Sequence, residues 1–162
     1  MKIILTGGAG FIGSHLVEYL ISFKKIKKII IIDNLKDGSK KNLKDSLSSK
    51  KISLKKADVR NFRKIEKYFK DCSAVIHLAA MSDIVPSIEN PMEYFETNFN
   101  GTLNILEAMR KHKVKKIIYS ASSSCYGIPK KTPTNELDPI KPMYPYAFSK
   151  YIGEQLIDHY SK

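Results

Sequence analysis

The sequence predicts an α/β fold in which helices cover both faces of a doubly wound parallel sheet. Short apolar runs alternate along the chain with segments of helical periodicity, which is typical of βαβ units. The apolar runs are rich in Ile and Val without strict alternation, as expected of strands that are buried on both faces. A glycine-rich turn directly between the first apolar run and the first helical segment is a third feature of such folds.

The pattern places strands and helices in alternation. The predicted strands are Lys2–Thr6, Lys28–Asp33, Ile52–Lys56, Ala74–Leu78 and Lys116–Ser120. The predicted helices are Phe11–Phe23, Arg63–Phe69, Met92–His112 and Tyr144–Tyr160, with a weaker one within Lys40–Leu47. Right-handed crossover connections then give the sheet order 3-2-1-4-5. The loops 80–91 and 121–143 follow the fourth and fifth strands and have the length and content of functional loops.

The composition is that of a single globular domain. The 162 residues include 43% hydrophobic and 27% charged residues. No apolar run has the length of a membrane span, and the N-terminus lacks the features of a signal peptide, so we expect no membrane association. Cys72 and Cys125 match no zinc spacing and are too few for a disulfide framework. We therefore expect no metal site and a reducing, cytoplasmic location.

The net charge of +12 requires that nucleic-acid binding be considered. Of the 28 basic residues, the arginines are Arg60, Arg63 and Arg110, and the lysines are spread along the chain. Proteins that bind nucleic acid favour arginine for bidentate contacts, and no nucleic-acid motif is present. We therefore expect no nucleic-acid partner, although a positive surface helps to attract an anionic substrate.

A glycine triplet follows the first strand. Gly7, Gly10 and Gly13 have the spacing G-x-x-G-x-x-G, which differs by one residue from the G-x-G-x-x-G of many dinucleotide-binding proteins. The first glycine permits the tight turn, the second lets the backbone approach a pyrophosphate, and the third lets the helix pack closely. The helix N-terminus then offers its N–H groups to the phosphates. The alternative is a glycine-rich turn without a ligand.

Two aspartates follow the next two strands. Asp33 ends the second strand, where a carboxylate accepts hydrogen bonds from the adenosine ribose and repels a 2′-phosphate, which favours NAD over NADP. Asp58-Val59 follows the third strand, at a place that suits the adenine edge. The alternatives are a cap or turn aspartate at Asp33, and an N-cap at Asp58 for a helix that starts near Phe62. These residues, with 78–80 and 120–124, are expected to converge at the carboxyl edge of the sheet.

A tyrosine and a lysine share one face of the last predicted helix. Tyr146 and Lys150 are four residues apart, so an ammonium lies beside a phenol. A free phenol has a pKa of about 10, and a neighbouring positive charge stabilises its ionised form. The serine cluster 120–124 follows the fifth strand, where hydroxyls can hydrogen-bond a substrate. The alternatives are a solvated lysine beside a half-buried tyrosine, and a serine-rich turn that caps its own backbone.

Taken together, these residues resemble the extended short-chain dehydrogenase/reductase family, in its NAD-dependent nucleotide-sugar epimerase/dehydratase branch. The resemblance is carried by segments that run in family order over essentially the whole chain. They are Thr6–His15, Asp33–Leu35, Asp58–Arg60, His77–Ala80, Thr97–Thr102, Ser122–Gly127 and Tyr146–Lys150. The fold that it implies is Rossmann-like.

The resemblance implies a Ser-Tyr-Lys mechanism. Ser122 would be the active hydroxyl, Tyr146 the base, and Lys150 its activator and a ribose ligand; Ser122, Ser123 and Tyr146 would contact the substrate. It implies NAD as cofactor, with contacts from Gly7, Gly10, Phe11, Ile12, Gly13, Asp33, Asn34, Leu35, Gly38, Asp58, Val59, Leu78, Ala79, Ala80, Thr97, Asn98, Ser120, Tyr146 and Lys150. It also implies a homodimer through the helices at 92–112 and 144–160.

The residues after Ser122 select among the reactions of the resembled family. Sugar 4,6-dehydratases of that family carry an acid at the place of Ser123 or Ser124, and a serine supplies none near neutral pH. The remaining pattern is similar to UDP-glucose 4-epimerases, which act on a UDP-hexose through a transient 4-keto sugar. The other hypotheses are a nucleotide-sugar oxidoreductase or dehydratase of the same family, and an NAD-binding module without catalysis.

The resemblance also bears on domain organisation. Family members continue by about as much again, with further strands and a smaller domain that binds the nucleotide sugar. On that comparison, residues 1–162 are expected to be the NAD-binding domain with the Ser-Tyr-Lys site, without the substrate-binding domain.

Overall fold

The computed structural model of the protein describes residues 1–162. Its strands form one parallel sheet of order β3-β2-β1-β4-β5, which confirms the predicted fold class and strand order. They are β1 (Lys2–Thr6), β2 (Lys28–Asp33), β3 (Ile52–Lys56), β4 (Ala74–His77) and β5 (Ile117–Tyr119). The first three have the predicted bounds, whereas β4 and β5 are one and two residues shorter than predicted.

The α-helices differ more from the prediction. They are α1 (Phe11–Ile21), α2 (Phe62–Ile65), α3 (Ile84–Glu89), α4 (Pro91–Tyr94), α5 (Gly101–Lys111) and α6 (Pro145–Ser161). The predicted helix Met92–His112 is divided into α4, a π-helical segment Phe95–Asn100 and α5. Helix α3 lies in a segment that was predicted to be a loop. The weak helix within Lys40–Leu47 is a pair of 3-10 turns, Lys40–Leu43 and Ser46–Ser48.

The chain divides into two compact units. The first, here called the sheet unit, comprises Met1–Ala79 and Asn104–Ser120 and contains all five strands. The second, here called the helical unit, comprises Ala80–Leu103 and Ala121–Lys162. The glycine loop and both aspartates belong to the sheet unit, whereas Ser122, Tyr146 and Lys150 belong to the helical unit. The prediction of one NAD-binding domain that lacks its substrate domain stays a prediction.

The core of the sheet unit forms around the two central strands. Ile3 and Leu5 of β1 pack with Ile29 and Ile31 of β2 and with Val17 of α1, and all are buried. The intervening residues of β1 and β2, which point to the opposite face, are buried as well. The edge strands do not follow this rule, since β3 is half-buried and Ile118 of β5 is 65% exposed.

In the helical unit, α6 packs against the π-helical segment and α3. The rings of Phe95 and Phe148 pack edge to face, with their centroids 6.0 Å apart. The rings of Tyr94 and Tyr146 pack in the same way, with a centroid distance of 6.5 Å. These contacts fix the face of α6 that carries Tyr146. No helix of the structure combines the length and the apolar character needed to cross a membrane.

Candidate cofactor-binding and catalytic sites

The glycine loop connects the carboxyl end of β1 to α1. Gly7 adopts a left-handed conformation with φ of 69°, and a Cβ atom added there would lie 2.7 Å from the Ala79 nitrogen. A Cβ atom added at Gly13 would collide with the Gly7 carbonyl oxygen and lie 2.6 Å from Gly8 Cα. Packing within the protein therefore explains Gly7 and Gly13.

Gly10 differs, because its surroundings do not demand a glycine. Its φ and ψ are −73° and 177°, which other residues adopt, and an added Cβ atom would meet the Gly7 carbonyl oxygen at 3.3 Å. No side chain caps the first turn of α1, which begins at the next residue. Phe11 and Ile12 in that turn are 78% and 67% exposed. An open helix N-terminus preceded by a glycine can take up an anion.

Asp33, at the end of β2, is buried against the glycine loop. Its carboxylate accepts hydrogen bonds from the Ala9 N–H at 2.9 Å and from the Leu35 N–H at 2.8 Å. The second bond is that of a turn aspartate, so this alternative is present in the structure. Each carboxylate oxygen keeps another lone pair, and its bonds to a ribose stay a prediction. Leu35 is left-handed, with φ of 61°, and an added Cβ atom at Gly38 would lie 3.0 Å from Asp33 Oδ1.

Asp58, which follows β3, forms an ion pair with Arg60. The guanidinium donates to both carboxylate oxygens, at 3.0 and 2.8 Å, and these bonds hold the pKa of Asp58 below its usual value. Asn34 donates a longer bond of 3.4 Å to the same carboxylate. Asn61 rather than Asp58 caps α2, since its side chain accepts from the Lys64 N–H, and the alternative of Asp58 as a helix cap is therefore wrong.

The backbone N–H groups that follow β4 and β5 donate hydrogen bonds to oxygen atoms of β1 and β4. The Leu78 N–H donates to the Thr6 carbonyl oxygen at 3.1 Å, and the Ala79 N–H donates to the Thr6 hydroxyl oxygen at 3.2 Å. The Ser120 N–H donates to the His77 carbonyl oxygen at 3.2 Å. The predicted roles of Leu78, Ala79 and Ser120 in cofactor binding stay predictions.

The structure brings Ser122 and Tyr146 together in the helical unit. The Tyr146 hydroxyl donates to Ser122 Oγ at 3.3 Å, although the two residues are 24 positions apart. Tyr146 lies in the first turn of α6, directly after Pro145, which suits the first helical position. Ser122 Oγ also lies 2.6 Å from Ser124 Oγ, a contact that the sequence did not reveal. Ser123 is exposed in the 3-10 turn that Ser122 caps.

Lys150 lies one helical turn beyond Tyr146 and is only 3% exposed. The alternative of a solvated lysine is therefore wrong. Burial lowers the pKa of Lys150 to about 8, with Cys125 and Glu154 acting in the opposite direction. Burial also raises the pKa of Cys125 to about 11, so this thiol stays protonated at neutral pH. Cys125 donates to the Ala147 carbonyl oxygen at 3.5 Å.

Asn98 is buried in the π-helical segment and bonds to protein groups. Its side-chain oxygen accepts from the Met81 N–H at 2.8 Å, and its amide nitrogen donates to the Met81 carbonyl oxygen at 3.0 Å and to Ser149 Oγ at 2.9 Å. Ser149 in turn donates to the Tyr146 carbonyl oxygen at 2.7 Å. This chain of bonds joins Met81 to the turn of α6 that carries Tyr146. Contact of Asn98 and the half-buried Thr97 with a cofactor stays a prediction.

Comparison with known proteins gives consistent matches over the whole chain. A family model described as GDP-mannose 4,6 dehydratase matches residues 4–162. A relative from Methanocaldococcus jannaschii, named as a putative UDP-glucose 4-epimerase, is 43% identical over 99% of this chain and 51% of its own length. The chain spans about half the length of the curated relatives it matches.

Solved structures agree with the sequence matches. The UDP-Glc/GlcNAc 4-epimerase from Campylobacter jejuni superimposes with a TM-score of 0.93 at 30% identity, over 99% of this chain and 49% of that one. The dTDP-glucose 4,6-dehydratase DesIV from Streptomyces venezuelae, solved with NAD and TYD bound, has a TM-score of 0.94 at 28% identity, over 99% of this chain and 51% of that one.

Proposed function

The chain belongs to the GDP-mannose 4,6 dehydratase family, and on that premise we propose that it is the NAD-binding and catalytic half of a nucleotide-sugar 4-epimerase. One observation carries this proposal. The Tyr146 hydroxyl lies 3.3 Å from Ser122 Oγ, with the buried ammonium of Lys150 one turn along the same helix. A phenol, an alcohol and an ammonium in this arrangement suit the removal of a proton from a sugar hydroxyl.

The residues of the sheet unit fit NAD. Packing within the protein does not require a glycine at position 10, and no side chain caps the helix that follows it. A glycine at such a helix N-terminus suits the close approach of a pyrophosphate. The buried carboxylate of Asp33 suits the two ribose hydroxyls and disfavours a 2′-phosphate, so we expect a preference for NAD over NADP. The relative DesIV was solved with NAD, which supports this choice.

In the proposed mechanism, the residues of the helical unit handle the proton of the sugar. Ser122 Oγ holds the 4-hydroxyl, Tyr146 takes the proton from it, and the positive charge of Lys150 stabilises the phenolate that does so. NAD, which the glycine loop and Asp33 would hold, would supply a reversible hydride acceptor for C4 of the sugar. The 4-keto sugar then presents its opposite face. When the hydride returns to that face, Tyr146 gives the proton back to the 4-oxygen and the opposite epimer results. The reaction is redox-neutral, so reduced cofactor does not accumulate.

A 4,6-dehydratase is the second candidate. The description of the matching family and the similarity to DesIV favour it. Loss of water from the sugar requires a proton donor for the leaving hydroxyl, and Ser123 and Ser124 do not supply an acid near neutral pH. Ser124 instead lies 2.6 Å from Ser122 Oγ and holds that hydroxyl. We therefore place epimerisation first.

The proposed substrate is a UDP-hexose. The M. jannaschii relative is named for UDP-glucose, which supports this choice of nucleotide and sugar. The net charge of +12 favours an anionic substrate of this kind.

We also propose a homodimer through the helices at 92–112 and 144–160, since Met92 and Phe148 on these segments are 68% and 46% exposed. Sedimentation of a Phe148→Asp variant would test the dimer, which should dissociate.

The test of the function uses the full-length protein with UDP-glucose and UDP-galactose. We expect NMR spectra of the sugar to show interconversion without loss of water and without a rise in reduced nicotinamide absorbance. Tyr146→Phe should abolish turnover and leave NAD affinity nearly unchanged, whereas Tyr151→Phe on the same helix should remain active. A product lighter by one water would establish the dehydratase instead. Full activity of Tyr146→Phe would refute both candidates.

A further inference from the structure

A buried histidine lies at the end of β4, beside the glycine loop. His77 is 1% exposed and pairs across the sheet with Thr6 of β1, which is fully buried. His77 Nδ1 lies 2.6 Å from Thr6 Oγ1. Nothing in the proposed chemistry uses this ring, so its place in the sheet requires another explanation.

The Thr6 hydroxyl also serves the backbone that follows β4. Its oxygen accepts the Ala79 N–H at 3.2 Å. A hydroxyl has one proton, and His77 Nδ1 is the neighbour that can accept it. When it does so, the Thr6 oxygen keeps its lone pairs for Ala79, and all three groups are satisfied. This arrangement requires that Nδ1 carries no proton, which places the ring proton on Nε2.

The position of Ala79 matters because Gly7 packs directly on it. A Cβ atom added at Gly7 would lie 2.7 Å from the Ala79 nitrogen and 2.9 Å from the Leu78 carbonyl carbon. The Ala79 peptide is therefore in contact with the first glycine of the loop. A shift of this peptide by a few tenths of an ångström would move Gly7, and the rest of the loop follows Gly7.

We propose that His77 is a positioning residue for the glycine loop, because its unprotonated Nδ1 accepts the Thr6 hydroxyl and so directs the Thr6 oxygen to the Ala79 N–H. The consequence for cofactor affinity rests on the proposed function, since it assumes that the loop binds NAD. The tautomer of His77 and the bond of Ala79 do not depend on that assumption.

The experiment compares two amides at position 77 in the full-length protein. The side-chain oxygen of His77→Asn can occupy the place of Nδ1 and accept the Thr6 hydroxyl, whereas that of His77→Gln reaches the place of Nε2. We expect His77→Asn to bind NAD within about twofold of the wild type, and His77→Gln about tenfold more weakly, as for the loss of one buried hydrogen bond. Thr6→Ser and Thr6→Val form a second matched pair, in which we expect Thr6→Val to bind NAD about tenfold more weakly than Thr6→Ser. Calorimetric titration with NAD measures the affinity of all four variants.

Two readouts without cofactor complete the test. Nitrogen-15 NMR of the His77 ring, assigned by its disappearance in His77→Asn, should show the Nε2–H tautomer. Hydrogen exchange of the Ala79 amide should be faster in His77→Gln than in His77→Asn, and faster in Thr6→Val than in Thr6→Ser. A proton on Nδ1, or equal exchange and equal affinity within each pair, would overturn the proposal. A wild-type protein that binds no NAD would refute the proposed cofactor, and the tautomer and the exchange rates would still decide the role of His77.

Discussion

The two glycines at the start of α1 offer a sharp test of what the loop is for. In Gly13→Ala, the new Cβ atom would collide with the Gly7 carbonyl oxygen and lie 2.6 Å from Gly8 Cα, both of them backbone atoms. Such overpacking costs roughly 1–3 kcal/mol of unfolding free energy. For a chain of this size, each kcal/mol shifts the melting temperature by roughly 2–4 °C. We therefore expect Gly13→Ala to melt several degrees below the wild type.

Gly10→Ala should behave in the opposite way. Its Cβ atom would lie 3.3 Å from the Gly7 carbonyl oxygen, so that oxygen would have to move by a few tenths of an ångström. An alanine is a poorer helix cap by about 1 kcal/mol, but it also restricts the unfolded chain by about 0.4–1 kcal/mol, and the two effects nearly cancel. The added methyl group does, however, occupy the space where a pyrophosphate would approach. We expect an unchanged melting temperature without NAD and at least about tenfold weaker binding of NAD.

Thermal unfolding and calorimetric titration of the two variants in the full-length protein provide the assay. We expect Gly13→Ala to lose stability, and Gly10→Ala to lose NAD affinity without losing stability. If Gly10→Ala bound NAD as well as the wild type, the loop would not hold the pyrophosphate as proposed. If Gly13→Ala were as stable as the wild type, the close contact of Gly13 with Gly7 and Gly8 would be refuted.

Further predictions concern the polar residues of both units. Asp33→Asn should bind NAD more weakly and discriminate less against NADP, because the charge that repels a 2′-phosphate is gone; parallel titrations with the two cofactors measure this. Ser122→Ala should lower kcat by about 10²–10³-fold with little change in NAD affinity, as measured by steady-state kinetics and calorimetry. Lys150→Met should abolish turnover and yet raise the free energy of unfolding at pH 7. Because burial lowers the pKa of Lys150 from 10.5 to about 8, the unfolded chain binds this proton more tightly, and the wild-type protein regains stability as the pH rises from 8 to 10.5. Urea unfolding at pH 7 and pH 10 should therefore show that the advantage of Lys150→Met shrinks at the higher pH.

The sequence was sufficient for the strands that are bounded by strong local signals. The first strand ends at the glycine loop, the second at Asp33, and both consist of Ile-rich runs, so their bounds could be read directly. The predicted strand Lys116–Ser120 is longer than β5 because it includes the polar residue at each end of the apolar run Ile117–Tyr119. Helix α3 was missed because six residues with Pro86 inside show no helical periodicity.

The candidate site was predictable only in part, because sequence spacing reveals contacts within one helix but not contacts between distant segments. The spacing of Tyr146 and Lys150 fixes their common helix face, so their proximity follows from the sequence. The hydrogen bond from the Ala9 N–H to the Asp33 carboxylate and that from the Asn98 amide to Ser149 Oγ join segments that are distant along the chain. Such bonds depend on how the elements pack. The π-helical segment was also hidden, because its apolar spacing is close to that of an α-helix.

The burial of Lys150 supports the catalytic role that we propose for the helical unit. Desolvation disfavours a buried ammonium, as its lowered pKa indicates, and an apolar side chain of similar length would fill the same space without this penalty. The other groups nearby do not provide the charge, since Cys125 stays protonated at neutral pH and Ser122 and Ser124 are neutral hydroxyls. Lys150 is thus the residue of this cluster that can hold a positive charge one turn from the Tyr146 phenol. A buried ammonium one turn from a phenol is therefore an arrangement that supports the proton transfer that we propose.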